Sequence, residues 1–221
     1  MWDYETGKVI VFNSTLNSYP GVTVSATLYN IPDLSQKYSD QKTIDVPADR
    51  PAEALTIPAI DGLSKTYFIR LQLRDGAGEV LNENLYWYST QPDVFDFSKS
   101  DWYITPVTNY ANLTGLNELV RNADVKVSAA MTSGAGQDNI TVRLVNENTT
   151  NIAFFVRAEV VAGKDGAEVA PVVYSDNYVT LWPGETNVIR ARYPARALDG
   201  ASPTVKVKGY NTPEFSAKPA N

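Results

Sequence analysis

Apolar and polar residues alternate along nearly the whole of this 221-residue chain, and this period of two constrains the fold more than any other feature. In residues 22–29 the even positions hold Val22, Val24, Ala26 and Leu28, whereas the odd positions hold Thr, Ser or Tyr. Successive side chains of a β-strand point to opposite faces, so the pattern predicts a strand with one buried and one solvated face. Strands of this kind are typical of antiparallel sheets.

The same pattern predicts two sets of strands, and residues suited to tight turns separate them, among them Asp75-Gly76, Pro183-Gly184 and Asp199-Gly200. One short stretch, residues 113–120, has helical spacing. Each set has the size of an immunoglobulin-like sandwich, so we predict an all-β chain with two such antiparallel sandwiches. The predicted strands are 8–14, 22–29, 42–46, 53–57, 67–74 and 82–88, followed by 125–131, 139–146, 153–161, 178–181, 187–193 and 204–209.

The alternation stops between residues 89 and 124, where Pro, Asp and aromatic residues are frequent. A flexible linker would be rich in Gly and Ser instead. We therefore expect an ordered, aromatic-rich linker that packs against one or both sandwiches. The predicted division is a first sandwich at residues 1–90, a packed linker at 91–123 and a second sandwich at 124–221.

The chain contains no histidine and no cysteine, which removes most of the usual enzyme chemistry. Without imidazole or thiolate it lacks the commonest general base near neutral pH and the strongest side-chain nucleophile. The usual protein ligands of zinc, haem and iron–sulfur clusters are missing as well. We therefore expect no catalytic residue, no cofactor and no metal site built from these ligands, while a surface calcium held by backbone carbonyls and an aspartate stays open as an alternative.

Charge and hydropathy also limit the partners. The net charge of −6 arises entirely within residues 1–112, because residues 113–221 carry equal numbers of acidic and basic side chains. Neither half has the basic surface that a nucleic-acid backbone requires. No apolar run approaches the roughly 20 residues of a membrane-spanning helix. We expect neither nucleic-acid binding nor a membrane span.

Three groups of residues resemble catalytic motifs without the structural context that those motifs need. Ser39 and Lys42 fit the S-x-x-K motif and residues 175–177 fit S-D-N, as in serine β-lactamases, but the third motif, K-T-G, is absent. That chemistry needs the serine at the start of a helix, whereas Ser39 is predicted in a polar loop that leads into a strand. Asp93 and Asp96 could form a glycosidase pair, but aspartates next to Pro and Phe more often cap turns.

The aromatic residues have the greatest potential for binding. Trp182 directly precedes Pro183-Gly184, so we expect it at a strand end, partly exposed, in contact with a sugar or with a neighbouring domain. Trp102 and Tyr103 lie in the 91–123 segment and are expected to anchor it, with contact to a ligand as the alternative. Trp87 alternates with Leu85 and is expected in the core.

Several segments of the chain together resemble the C-terminal region of glycoside hydrolase family 2, in its β-mannosidase and exo-β-glucosaminidase branch. The most specific of them is Asp176-Asn177-Tyr178 followed by Pro183-Gly184-Glu185. Trp182 departs from the pattern, since the family more usually has an aliphatic residue there. The similar segments are NLYWYS at 84–89, DVFDF at 93–97, WYITP at 102–106, YANL at 110–113, AFFVR at 153–157 and SDNYVTLWPGE at 175–185.

The resemblance implies a non-catalytic, accessory part of a larger enzyme. In that family the two catalytic glutamates lie on a (β/α)₈ barrel, and further immunoglobulin-like domains follow the barrel. This chain corresponds to the domains after the barrel, so no catalytic residue can be assigned to it. The implied partner is the barrel of the parent enzyme, which acts on terminal β-linked mannosides or glucosaminides. The resemblance also favours an extracytoplasmic location.

Two other functional classes stay open from the sequence. The first is a stand-alone carbohydrate-binding or surface-adhesion module, which would need an exposed aromatic platform. The second is a fibre or pilus subunit, which would need a donor strand or an incomplete sandwich, and the sequence indicates neither. On the main interpretation, the chain by itself hydrolyses nothing.

Overall fold

A computed structural model describes residues 1–164 and 166–220 and divides into two compact units, Met1–Leu119 and Val120–Asn221. Both units are built of antiparallel strands, which confirms the predicted all-β class. The helices in the described residues are short 3-10 segments. None of them is long and apolar enough to cross a bilayer.

The first unit has a four-stranded sheet in the order β3-β2-β5-β6, opposed by the two-stranded sheet β1-β4. A small ribbon, β7-β8, follows in the chain. All pairs among the named strands of the first unit are antiparallel. The strands are β1 (Lys8–Phe12), β2 (Tyr19–Asn30), β3 (Gln36–Val46), β4 (Pro51–Thr56), β5 (Thr66–Arg74), β6 (Val80–Ser89), β7 (Val94–Phe95) and β8 (Val107–Asn109).

The core of the first unit lies between these two sheets. Val24, Ala26 and Leu28 on β2 are buried, as their alternation predicted, and they meet Val9 of β1 and Ile69 of β5 in one apolar cluster. The intervening β2 residues face water or polar neighbours. The burial pattern of β2 therefore confirms the predicted alternation, with one face of the strand in the core and the other outside it.

The second unit is a sandwich of two four-stranded sheets, β12-β14-β10-β9 and β13-β11-β15-β16. Ile140, Val142 and Leu144 of one sheet pack towards Val156 and Val160 of the other, and all five are almost fully buried. The strands are β9 (Val125–Gly134), β10 (Gln137–Asn146), β11 (Ala153–Ala162), β12 (Val173–Tyr174), β13 (Val179–Leu181), β14 (Thr186–Pro194), β15 (Pro203–Lys208) and β16 (Phe215–Ala217).

The structure corrects two local expectations, those for Ser39 and Trp87, and confirms that the 113–120 stretch is at most one or two helical turns. Ser39 lies within β3 and not in a loop before it. Tyr86 and Tyr88 pack against the first core, so Trp87 between them faces the opposite side of the sheet and is not a core residue. The stretch with helical spacing contains only the 3-10 helix Thr114–Glu118. The short strands β7, β8, β12 and β16 were not predicted.

Candidate interaction surface

Residues 91–119 belong to the first unit and have a defined conformation. After β6 the chain forms the β7-β8 ribbon, in which Val94 pairs with Asn109 and Phe95 pairs with Val107. The 3-10 helix Phe97–Lys99 lies between the two strands, capped by Asp96, whose side chain accepts a hydrogen bond from Ser98 N–H at 3.2 Å. The ribbon and its cap give this segment its own local order.

Polar groups join the segment to the first sandwich. The Oγ atoms of Thr66 and Ser89, both almost fully buried, donate to the carbonyl oxygen of Asn112 at 3.1 and 2.8 Å. Thr66 Oγ1 in turn accepts a hydrogen bond from Gly115 N–H at 3.2 Å. Ala111 N–H donates to Asp93 Oδ1 at 2.8 Å. Hydrogen bonds to Thr66 and Ser89 therefore hold residues 112–115 against β5 and β6, and the Ala111–Asp93 hydrogen bond ties the start of the segment to this end.

Of the two aspartates considered as a catalytic pair, Asp96 caps the 3-10 helix Phe97–Lys99, as predicted, whereas Asp93 joins the start of the segment to its far end. Asp93 receives the Ala111 amide, and Asp96 receives Ser98 N–H and the Lys99 ammonium, with Nζ to Oδ2 at 2.8 Å. The Lys99 and Ser98 hydrogen bonds lower the pKa of Asp96 from its usual value. A carboxyl group held ionised in this way is a poor general acid near neutral pH.

The two apparent β-lactamase motifs are structural. Ser39 and Lys42 are three residues apart in one strand, so their side chains point to opposite faces of the sheet. Asn177 makes a pair of backbone hydrogen bonds with Ala158, accepting from its N–H at 2.8 Å and donating to its carbonyl oxygen at 2.9 Å. The described residues contain no group of three or more acidic, His or Cys side chains arranged to hold a metal ion.

The apolar side chains of residues 94–110 face solvent. Trp102 is 89% exposed and Tyr103 is 65% exposed, so the expectation that they anchor the segment by burial is wrong within this chain. Their rings pack edge to face, with centroids 4.7 Å apart. We call the following set the aromatic surface: Val94, Phe95, Phe97, Trp102, Tyr103, Ile104 and Tyr110, each of them exposed. Exposed apolar clusters of this kind mark sites of contact with another protein or ligand.

Trp182 is not part of that surface. It belongs to the second unit and is only 6% exposed, so the expected partial exposure is not observed. The sequence did predict correctly that Trp182 lies at the end of a strand, before the Pro183-Gly184 turn. A hydrogen bond from Glu185 N–H to the Trp182 carbonyl oxygen, at 3.0 Å, closes this turn. The Trp182 amide donates to Glu185 Oε2 at 3.0 Å. The structure thus brings Trp102 and Tyr103 together but leaves Trp182 in the core of the other sandwich.

Sequence reasoning missed a second set of exposed aromatics, on the second unit. Phe155 and Tyr178 are 37% and 49% exposed, and their ring centroids lie 4.9 Å apart. Both residues have a positive φ, 55° and 56°, which is unusual for large side chains. The irregular pairing of β11 with β13 accompanies this conformation and turns Phe155 outwards. A bulge that breaks the alternation leaves no clear signal in the sequence.

Two protein-family models match the chain. The model described as the exo-β-D-glucosaminidase Ig-fold domain matches residues 102–212. The model described as the mannosidase Ig/CBM-like domain matches residues 5–91. Together they cover most of both units and agree with the immunoglobulin-like architecture.

Curated relatives are similar over nearly the full length of this chain. An exo-β-D-glucosaminidase of Amycolatopsis orientalis is 40% identical over 217 residues, which are 96% of this chain and 20% of that protein. An exo-β-D-glucosaminidase of Streptomyces avermitilis is also 40% identical, over 96% of this chain and 24% of that protein. The chain therefore spans between a fifth and a quarter of the curated relatives it matches.

Solved structures show the same relationship. A crystal structure of the Amycolatopsis orientalis exo-chitosanase superposes with a TM-score of 0.91 at 39% identity, covering 98% of this chain and 26% of that one. A β-D-mannosidase of Dictyoglomus thermophilum is more distant, with a TM-score of 0.52 at 16% identity over 93% of this chain and 20% of that one. The second likeness shows a shared fold alone.

Proposed function

The chain belongs to the family of exo-β-D-glucosaminidase immunoglobulin-fold domains, and from this premise we propose that it is the non-catalytic accessory region of a glycosidase. The parent enzyme would remove terminal β-linked glucosamine residues. This chain would pack against the catalytic domain, which is expected to be a (β/α)₈ barrel. It would hold that domain in a fixed orientation. The 40% identity to an exo-β-D-glucosaminidase over 96% of the chain is the observation that carries the proposal.

The composition and the fold are consistent with a supporting role. The chain has no histidine or cysteine, and the carboxylates of Asp93 and Asp96 accept structural hydrogen bonds, from the Ala111 and Ser98 amides respectively. The match of residues 5–91 to a mannosidase domain supports β-mannosides as a second candidate substrate of the parent. We also propose an extracytoplasmic location, because an enzyme that shortens polysaccharides has to meet polymers that do not cross membranes.

The aromatic surface is the part of the first unit best suited to contact the catalytic domain. Burying a large apolar side chain contributes roughly 1.5–3 kcal/mol, so Trp102 and Tyr103 alone could stabilise an interface substantially. Their segment is already ordered by hydrogen bonds to Thr66 and Ser89. Association would therefore lose less conformational entropy than it would with a flexible loop.

The test uses the full-length parent enzyme and this chain alone. The chain alone should release no aryl alcohol from an aryl β-D-glucosaminide or an aryl β-D-mannoside. In the parent, Trp102→Ala combined with Tyr103→Ala should lower the melting temperature and the activity. Leu16→Ala is the matched control, because Leu16 is also 89% exposed but lies far along the chain from the aromatic surface. Hydrolysis by the isolated chain, or equal effects of the two variants, would refute the proposal.

The second candidate function is a stand-alone carbohydrate-binding or surface-adhesion module, and one observation favours it. The exposed ring of Trp102 offers a flat apolar face of the kind on which sugar rings stack, and the ring of Tyr103 packs edge to face against it. Calorimetry of the isolated chain with glucosamine and mannose oligosaccharides separates the two functions. Saturable binding that Trp102→Ala abolishes would favour the module. Trp182→Ala is a less informative variant, because Trp182 is buried and its loss would disturb the second core.

A further inference from the structure

The first sandwich contains an open apolar cavity of about 520 Å³ between β1 and the four-stranded sheet. Its lining includes Val24, Val46 and Leu71, which are at most 5% exposed and belong to the interior of the unit. Phe12 and Leu81, also in the lining, are 59% and 44% exposed. The sandwich is therefore open to solvent at this point, where the two-stranded sheet is too narrow to cover the four-stranded one.

The backbone beside the cavity already begins a third strand. Met1 exchanges two hydrogen bonds with Ile10, from the Met1 ammonium to the Ile10 carbonyl oxygen at 2.8 Å and from the Ile10 N–H to the Met1 carbonyl oxygen at 2.9 Å. Trp2 then pairs with Val9 in an antiparallel bridge. Residues 1–3 thus run along the edge of β1 that does not face β4.

The register of the Met1–Ile10 pairing determines which residues of β1 would face a strand that continued upstream of Met1. Ile10 directs its backbone N–H and C=O towards Met1, and alternate residues of a strand direct these groups to the same side. Phe12 therefore presents its N–H and C=O along the same edge, at the cavity. A strand that continued past Met1 would place its first upstream residue opposite Val11 and its second opposite Phe12.

We propose that the cavity is the binding site for an additional β-strand, an extended segment of the parent chain that runs antiparallel to β1 in continuous register with residues 1–3. The proposal rests on the proposed function in one respect, because the segment belongs to a longer parent chain. Trp2 packs against the first core, and strand side chains alternate. The first and third residues upstream of Met1 therefore face the cavity and are apolar, and the second takes the backbone hydrogen bonds of Phe12.

The experiment adds four residues before Met1, in two orders of identical composition. The extension Thr-Val-Thr-Val directs valine into the cavity at the first and third positions, whereas Val-Thr-Val-Thr directs threonine there, because a shift of one residue exchanges the faces. Gly-Ser-Gly-Ser is the reference. The first extension should raise the melting temperature and slow hydrogen exchange of the Phe12 amide at least tenfold relative to the other two.

Equal effects of the two orders, or no slowing at Phe12, would overturn the proposal. A dimer of the unextended chain that the first extension dissociates would overturn it as well, because the site would then bind a second copy. This test needs no glycosidase activity, so it can succeed or fail independently of the activity proposed for the parent.

Discussion

Gly115 lies directly against Thr66, and its N–H donates to the Thr66 hydroxyl oxygen at 3.2 Å. A Cβ atom added to Gly115 would lie 2.8 Å from both Cβ and Oγ1 of Thr66, much closer than van der Waals contact. Thr66 is fully buried and cannot move aside easily. The end of the 91–119 segment can therefore lie against β5 because residue 115 is a glycine.

Gly115→Ala should therefore destabilise the first unit by about 1–3 kcal/mol, as is usual when atoms are forced into a packed site. It should also make residues 91–119 more sensitive to limited proteolysis. Gly76→Ala is the matched control, because an added Cβ there meets no atom within 4 Å. Urea unfolding measures both variants, and equal stability of the two would contradict this account of the contact.

A second prediction concerns Asn146, which is fully buried in the second unit. Its Nδ2, which carries two N–H groups, lies within 2.9–3.1 Å of the carbonyl oxygens of Asn151, Leu181 and Trp182, and its Oδ1 accepts from Asn122 Nδ2 at 2.9 Å. Asn146→Ala should cost about 3 kcal/mol, because several buried polar groups lose a partner at once. The control Asn139→Ala, at an exposed position of the same strand, should stay within about 0.5 kcal/mol of the unmodified chain. Similar losses of unfolding free energy in the two variants would disprove the importance of this network.

The alkaline stability of the second unit should depend on Tyr193. Burial, with a smaller contribution from Asp138, raises the pKa of this phenol from 10.0 to about 12. A group with a raised folded-state pKa contributes its full stability below the unfolded-state value, and this is lost as pH rises through the folded-state value. The free energy of unfolding should therefore fall between about pH 10 and about pH 12, by up to about 2.7 kcal/mol from this group.

Tyr193→Phe should make that alkaline loss smaller while changing stability little at neutral pH, because the hydroxyl donates a long, weak hydrogen bond to Met131 Sδ, at 3.9 Å. Urea unfolding across the alkaline range gives the comparison. Tyr110→Phe, at a residue that is 76% exposed, is the control and should leave the alkaline loss unchanged. A persistent full loss in Tyr193→Phe would assign the effect to other groups.

The hairpin between β9 and β10 offers a stabilising substitution. Ala135 and Gly136 form its two-residue loop and have φ values of 50° and 76°, as type I′ turns require. Alanine is strained with a positive φ, whereas asparagine tolerates it. Ala135→Asn should therefore stabilise the second unit by about 0.5–1 kcal/mol. Ala77→Asn, in a loop where Ala77 has no positive φ, should bring no such gain in thermal unfolding.

Sequence reasoning located the strands well and the exposure of single aromatics poorly. The alternation in β2 matches its burial residue by residue, because a strand side chain can take only one of two faces. Trp87 shows the limit: the alternation of residues 84–89 is correct, but Tyr86 and Tyr88 on the other face meet the core. In a strand with large residues on both faces, the pattern does not tell which face is inside.

The candidate site shows the same limit. WYITP and the stretch SDNYVTLWPGE both contributed to the family resemblance, yet nothing in those residues predicted that Trp102 would be exposed while Trp182 is buried. The Pro183-Gly184 turn was predictable because proline restricts its own φ and glycine allows the positive φ that many turns need. Burial of the neighbouring indole depends on residues distant in sequence that pack around it.

The sequence by itself determined the period of the strands, the positions of most turns, the absence of imidazole and thiol chemistry and the family. Each of these follows from the identity of a residue or from its immediate neighbours. Only the tertiary structure decided which sheet faces are buried, that Gly115 contacts Thr66, that the aromatic surface faces solvent and that β1 borders an open cavity. These features arise when strands far apart in the chain pack together, and the geometry of that packing is not written in any single segment.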